Sequence, residues 1–189
     1  CIRDSDGALW VADMYRFVLE HPEWIDDEFE KTLFLRAGHD KGRLYRVVPV
    51  DAAPREIPRL SELSVEELVA ALDSPSGWQR DTVHRLLVRR GDPAAVIPLR
   101  TLLLTRHTSL ALARLHAMCI LDGLKALPSE LLLRGLRDES PGVRRHAVRI
   151  AESLLDSAPE LAAGVLELTD DEDLFARQQV AYSLGAVSY

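Results

Sequence analysis

The sequence predicts a mainly α protein: an α-solenoid of about four helix pairs behind a small β-containing segment. Three observations predict it. First, an arginine-led tetrad recurs four times, as Arg80-Asp81-Thr82-Val83, Arg114-Leu115-His116-Ala117, Arg144-Arg145-His146-Ala147 and Arg177-Gln178-Gln179-Val180, with the arginines 34, 30 and 33 residues apart. Second, small or apolar residues follow each arginine at helical spacing. Three places on stand Val83, Ala117, Ala147 and Val180; seven on stand Leu87, Leu121, Ala151 and Leu184; ten on stand Arg90, Leu124, Leu154 and Val187, where Arg90 breaks the rule. Steps of three and four residues lie on one helical face. Third, another helical stretch precedes each of these, at about 64–72, 93–105, 129–137 and 159–168. A helix pair repeated at a fixed period is the signature of a stack in which each pair completes its neighbour's core.

The elements follow in order. Cys1-Ile2-Arg3 reads as the approach to a strand. Residues 5–13 read as a turn at Asp6-Gly7 and a strand through Trp10 and Val11. Residues 43–48 read as a second strand, ended by Pro49. The stretch 14–42 between them is too long for a hairpin loop. It predicts helical turns opened at Asp26-Asp27, running through Phe29, Leu33 and Phe34 and ended by Gly38. Two strands alone are marginal in water, so the pair is expected to belong to a larger sheet. Three prolines in 49–59 mark a linker. The expected organisation is 1–50 β segment, 51–59 linker and 60–189 repeats.

Cap signals punctuate the helical part. Ser64-Val65-Glu66-Glu67 fits a capping box. Asp92-Pro93 and Ser140-Pro141 set a cap residue before proline at the first helical position, and Ser157-Ala158-Pro159-Glu160 combines both signals. Acidic residues gather in the turns inside three of the pairs: Asp73, Asp138-Glu139, and Asp170 through Asp173, Asp171 among them. With Arg80, Arg114, Arg144 and Arg177 they predict a ladder of arginine–aspartate pairs stitching neighbouring repeats, because a guanidinium matches a carboxylate with two parallel donors.

Composition narrows the function. The net charge is −7, and both parts share it: residues 1–58 hold 8 basic against 12 acidic side chains, and residues 59–189 hold 15 against 18. No basic domain is concealed, which argues against nucleic acid as a partner. No apolar run is long enough to span a bilayer. Cys1 and Cys119 form no CxxC or CxxCH spacing, so this chain offers no haem attachment or zinc motif. There is no GxGxxG, Walker loop or HExxH, and no catalytic set emerges. His21 and Glu23 are too few for a metal site. His116 and His146 hold equivalent repeat positions and could approach each other on adjacent helices, but with Cys119 alone close in sequence they are expected to pack and not to hold a metal, while His39, His84 and His107 stand alone. Arg85, Arg89 and Arg90, and Arg144, Arg145 and Arg149, form two basic clusters interleaved with acids, expected to be solvated helix faces. Asp13, Tyr15 and Arg16 follow the first strand in a loop, where polar residues can meet a ligand.

The stretches DGALWVADMYRFVLEHPEWI (6–25), KGRLYRVVP (41–49), RLHAMCILDGL (114–124), LRDESPGVRRHAVRIAE (136–152) and ARQQVAYSLG (176–185) occur in an order that resembles a bacterial membrane-bound dehydrogenase-like family. In that family a β-propeller akin to sorbosone and glucose dehydrogenases precedes HEAT repeats and a cytochrome c-type haem domain. The resemblance implies that residues 1–50 are the end of a propeller and that residues 60–189 are HEAT-like, an armadillo-like helical array. The period here is shorter than the usual HEAT length of about 40 residues. It also implies that the chain is a piece of a longer protein that uses a quinone cofactor and haem c and is periplasmic or membrane-associated. Asp13, Tyr15 and Arg16 would face the propeller's pocket. The piece itself would carry no cofactor and would act as a scaffold for the propeller, the haem domain or another protein.

Overall fold

A computed structural model of the chain describes residues 2–3, 8–19, 22–51, 56–105 and 110–185. The Asp6-Gly7 turn, residues 52–55 of the linker, Cys1, His21, His107 and Val187 lie outside the described residues. The chain divides into two compact units, Cys1–Ile57 and Pro58–Tyr189.

The first unit holds an antiparallel sheet in the order β1 (Ile2–Arg3), β2 (Leu9–Asp13), β3 (Arg43–Val47). Leu9 lies opposite Val47 and Asp13 opposite Arg43. Trp10, Val11, Tyr45 and Val47 are side chains that favour a pleated backbone. The connection carries a 3-10 turn at Pro22–Trp24 and one α-helical turn, α1 (Asp27–Glu30), capped by the Asp26 carboxylate, which accepts from the Glu28 and Phe29 N–H groups. The helix expected to run on through Leu33 and Phe34 stops there. The Phe29 carbonyl takes both the N–H and the hydroxyl of Thr32, which tightens the chain into a three-residue turn. No α1 residue is buried, so no packed face holds a longer helix. Gly38 closes the loop at φ +79°, and a Cβ there would meet the Tyr15 carbonyl oxygen at 1.9 Å. Every residue of β3 is exposed, Leu44 on one face and Tyr45 and Val47 on the other.

The second unit is an α-solenoid of four helix pairs. The pairs are α2 (Val65–Ala70) with α3 (Gly77–Arg90), α4 (Val96–Leu104) with α5 (Ala111–Gly123), α6 (Ser129–Leu136) with α7 (Pro141–Ala151), and α8 (Pro159–Leu166) with α9 (Leu174–Gly185). The second helices stack in sequence, α3 on α5 on α7 on α9; α2 packs on α4 and α6 on α8. Leu68, Leu99, Leu132 and Leu161 of the first helices share one core with Val83, Ala117, Ala147 and Val180 of the second. Close approach needs small residues. A Cβ on Gly135 would lie 2.9 Å from the Met118 sulfur and 3.2 Å from the Ala147 methyl.

The helix ends vary in how they are satisfied. Ser64 and Glu67 form the reciprocal capping box, at 2.8 and 3.2 Å. Asp92 accepts from the Ala94 N–H at 2.9 Å. Ser140 precedes Pro141 but its hydroxyl caps nothing; Asp138 instead accepts the Ser140 N–H. Ala158, not Ser157, is the residue before α8, and the Ser157 hydroxyl donates back to Leu154. Arg90, which broke the apolar pattern, donates to the carbonyls of Ser61 and Leu63, both at 2.9 Å, and so satisfies the short turn at 60–62.

Candidate interaction surface

The arginines sit at equivalent places because the helices carrying them are stacked by one repeated step. On α5, Arg114 donates from Nε and Nη2 to the two Asp138 oxygens at 2.9 and 2.8 Å, and from Nη2 to Glu139 at 3.2 Å. On α7, Arg144 makes the same fork to Asp171, with both bonds 2.7 Å long. Each pair joins one second helix to the turn of the next pair. A second bond ties the arginine to the turn of its own pair, six residues upstream. Arg80 donates to the Ser74 carbonyl, Arg144 to that of Asp138 at 3.0 Å, and Arg177 to that of Asp171. The aspartates also accept the N–H two residues on, Ser140 at 2.9 Å and Asp173 at 2.8 Å, which fixes the carboxylate plane.

These pairs are enclosed. Arg114 and Asp138 side chains are 2% and 8% exposed, and those of Arg144 and Asp171 are 9% and 4%. At that burial, loss of one partner strands a charge out of water. The hydrogen bonds to Arg144 hold the Asp171 carboxyl below its ordinary range, against the opposing pull of burial. The bonds to Asp138 raise Arg114, and those to Asp171 raise Arg144, above the ordinary arginine value.

Asp73 stands one residue off this register. The place equivalent to Asp138 and Asp171 is Ser74, whose hydroxyl accepts the Ser76 N–H as the aspartates accept theirs. Asp73 accepts the Leu110 N–H at 2.8 Å, at the start of α5, so it links neighbouring pairs through backbone and not through an arginine. Counting six residues back from each arginine, instead of taking the nearest acid, would have found Ser74.

His116 does not meet His146. Its Nδ1 lies 3.1 Å from that of His84 on α3, ring edge to ring face, while His146 lies 4.0 Å from the Cys119 sulfur. Equivalent positions on stacked helices stand a full interhelix spacing apart, on the order of 8–10 Å. What faces His116, two places past its arginine, is His84, four places past its own. Burial lowers all three histidines below their ordinary value, and it raises the Cys119 thiol. Among the described residues no group of three His, Cys, Asp or Glu side chains is placed to hold a metal, and no helix is long and apolar enough to cross a membrane.

The loop after β2 is held in an uncommon shape. Asp13 accepts the Tyr15 N–H at 2.9 Å, and Tyr15 has φ +50°, a left-handed conformation seldom taken by an aromatic residue. The Arg43 guanidinium lies 4.4 Å over the Tyr15 ring. Tyr15, Arg16 and Phe17 line a shallow open pocket of about 360 Å³ with Ala37 and Gly38. Asp13 thus shapes the turn, while Tyr15 and Arg16 are exposed at the pocket.

The second basic cluster is split by the fold. Arg144 turns inward to the ladder, whereas Arg145 and Arg149 line a cleft between α7 and α9 with Phe175 and Tyr182. Charge counting along the sequence could not separate neighbours one residue apart; the repeat register does, since Arg144 is the ladder position.

Residues 3–51 match the model of a family described as a domain of unknown function, DUF7133. No curated protein matches the chain. Among solved structures, the crystal structure of an engineered protein from the Northeast Structural Genomics Consortium is similar at 18% identity and a TM-score of 0.39, over 65% of this chain and 61% of that one. The chain therefore spans less than two thirds of the length of that structure.

Proposed function

We propose that this chain is the HEAT-like scaffold part of a larger membrane-bound dehydrogenase-like protein, with the end of a β-propeller at residues 1–50, and that it docks protein domains and catalyses nothing by itself. The observation that carries this is the doubled arginine stitch. Its bonds to the turn before and the turn after make a stiff stack that presents area and spends its strongest polar groups internally. Support for the propeller end comes from β3, whose Leu44, Tyr45 and Val47 lie open on both faces, as expected of a strand that is covered by further sheet. The family match over residues 3–51 supports treating that segment as a module of its own. The partners are the propeller and the haem domain of the same protein, or another protein.

The test is to read the gene on either side of the chain and titrate the chain with the domains encoded there. An upstream propeller, a downstream CxxCH domain and saturable binding to either are the expected results. An ordinary start codon just before Cys1, or no binding to any neighbouring domain, overturns the reading.

A second reading is favoured by the strained Tyr15 beside an open pocket. The parent would be a quinone-dependent sugar or alcohol dehydrogenase passing electrons to cytochrome c, with its active site mostly outside this chain. The residues here do not fit haem c, since neither Cys1 nor Cys119 belongs to a CxxCH. Arg16→Gln in the full-length parent should raise KM for the sugar in a dye-reduction assay, and an unchanged KM would remove Arg16 from the pocket.

A further inference from the structure

Consecutive residues on α7 have opposite fates. Arg144 is buried against Asp171; Arg145 and Arg149, one turn apart, are exposed in the cleft between α7 and α9, and no carboxylate among the described residues pairs with either. Glu152, the acidic residue that ends α7, accepts the Ser183 hydroxyl of α9 at 2.8 Å. The facing wall is aromatic: Phe175 is 59% and Tyr182 64% exposed, and Gln178 donates to the Tyr182 hydroxyl at 2.9 Å, which orients the phenol. The cleft measures about 260 Å³, room for one or two side chains and not for a folded domain. His146 lines it too, kept below its ordinary value by burial and by Arg149 and Arg145.

The geometry points to a docking site for an acidic peptide segment, in which a carboxylate of the peptide is bonded by Arg145 and Arg149 and a neighbouring apolar side chain sits between Phe175 and Tyr182. This rests on the docking-surface reading above and gives that surface a partner chemistry. Two guanidinium forks one helical turn apart match carboxylates with parallel bonds. Exposed aromatic rings supply contact area and prefer an apolar neighbour. The net charge of −7 repels an extended polyanion, whereas a short acidic segment feels mainly the charges within a Debye length of about 10 Å. That balance favours a peptide over nucleic acid.

The probe is a short fluorescein-labelled peptide of alternating glutamate and leucine, titrated by anisotropy with the whole chain at low salt. Saturable binding that weakens with added salt is expected. The double variant Arg145→Gln/Arg149→Gln should bind at least tenfold more weakly, about what one good charge-assisted contact supplies. Phe175→Ser should weaken binding several-fold, and Arg85→Gln on α3 should leave it unchanged. A glutamine–leucine peptide should bind at least tenfold more weakly than the glutamate one. Because these side chains are exposed, circular dichroism melts of the variants should match the parent chain. No binding, equal affinity of the double variant, equal affinity of the glutamine peptide, or preference for a single-stranded oligonucleotide overturns the assignment. If the double variant still binds a neighbouring domain of the parent protein as the unaltered chain does, the cleft is lost as a site but the docking reading stands.

Discussion

Asp171→Ala tests the ladder where it is most enclosed. In the folded chain both Asp171 oxygens accept from Arg144 at 2.7 Å, and Oδ1 also accepts the Asp173 N–H. Removing the carboxylate leaves a guanidinium, 9% exposed, with two donors stranded, its carbonyl bonds to Asp138 and Glu139 intact and the exposed Glu172 carboxylate 4.0 Å away. Breaking one side of a buried pair costs about 3–5 kcal/mol. Of that, the lost Asp173 bond accounts for about 1 kcal/mol. The exposed pair Arg137–Glu167, 3.2 Å apart with side chains 64% and 59% exposed, is the internal control. Glu167→Gln should cost about 0–1 kcal/mol. Urea titration at neutral pH, followed by circular dichroism, measures both. Adding Arg144→Met to Asp171→Ala should recover part of the loss, because the stranded charge is then gone. The pH dependence supplies a sign. The folded carboxyl lies below its ordinary value, so its stabilisation is present above about pH 4 and is lost as pH falls through the depressed value. The gap between the two proteins should therefore close only in acid. If Asp171→Ala costs no more than Glu167→Gln, the ladder does not hold the stack and the argument fails.

His84 and His116 meet Nδ1 to Nδ1 at 3.1 Å, each pushed down first by burial; stability should be full above about pH 6.5 and fall as pH drops below it, and His116→Gln should flatten that limb of a pH–stability curve. Gly38→Ala places a methyl against the Tyr15 carbonyl at a φ that alanine avoids, so it should speed proteolysis within residues 14–42 while leaving helical circular dichroism unchanged. Ser64→Ala removes half of the capping box and should cost about 1 kcal/mol by urea titration.

Much of the stack is legible in the sequence because its determinants are local and repeated. The period of Val83, Ala117, Ala147 and Val180 fixes one buried stripe, and the break residues fix where each helix begins. What stays hidden depends on the step between helices. Sequence alignment sets His116 beside His146, but stacking turns a shared position into neighbours one spacing apart, so His116 finds His84 instead. Asp73 is the acid in its turn, while the geometry selects the residue six places before the arginine, there a serine. The helix expected through Leu33 and Phe34 has apolar residues at the right spacing but no surface to bury them on, with Phe29 60% and Phe34 71% exposed.

Arginines bonded within the stack are unavailable to a partner. A stack that uses arginines as stitches makes their number uninformative, since 20 of the 23 basic residues here are arginine. Arg80, Arg114, Arg144 and Arg177 satisfy turns, Arg90 the short turn at 60–62, Arg100 the Ala126 carbonyl and Arg134 that of Leu104. An arginine bonded to a carbonyl or a ladder carboxylate is committed to the stack whether buried, as Arg114 and Arg144 are, or exposed, as Arg90 and Arg134 are; an exposed one with no such bond can act on something else. Arg145 is such a residue directly beside a stitch: the register that buries Arg144 necessarily turns Arg145 about 100° around the helix, toward the cleft. A substitution series down α7 should therefore alternate, with Arg144→Gln unfolding the last two pairs and Arg145→Gln leaving the melt untouched. Hydrogen exchange on α7 and α9 reads the difference, and equal effects of the two substitutions would mean that the register does not divide structural from available arginines.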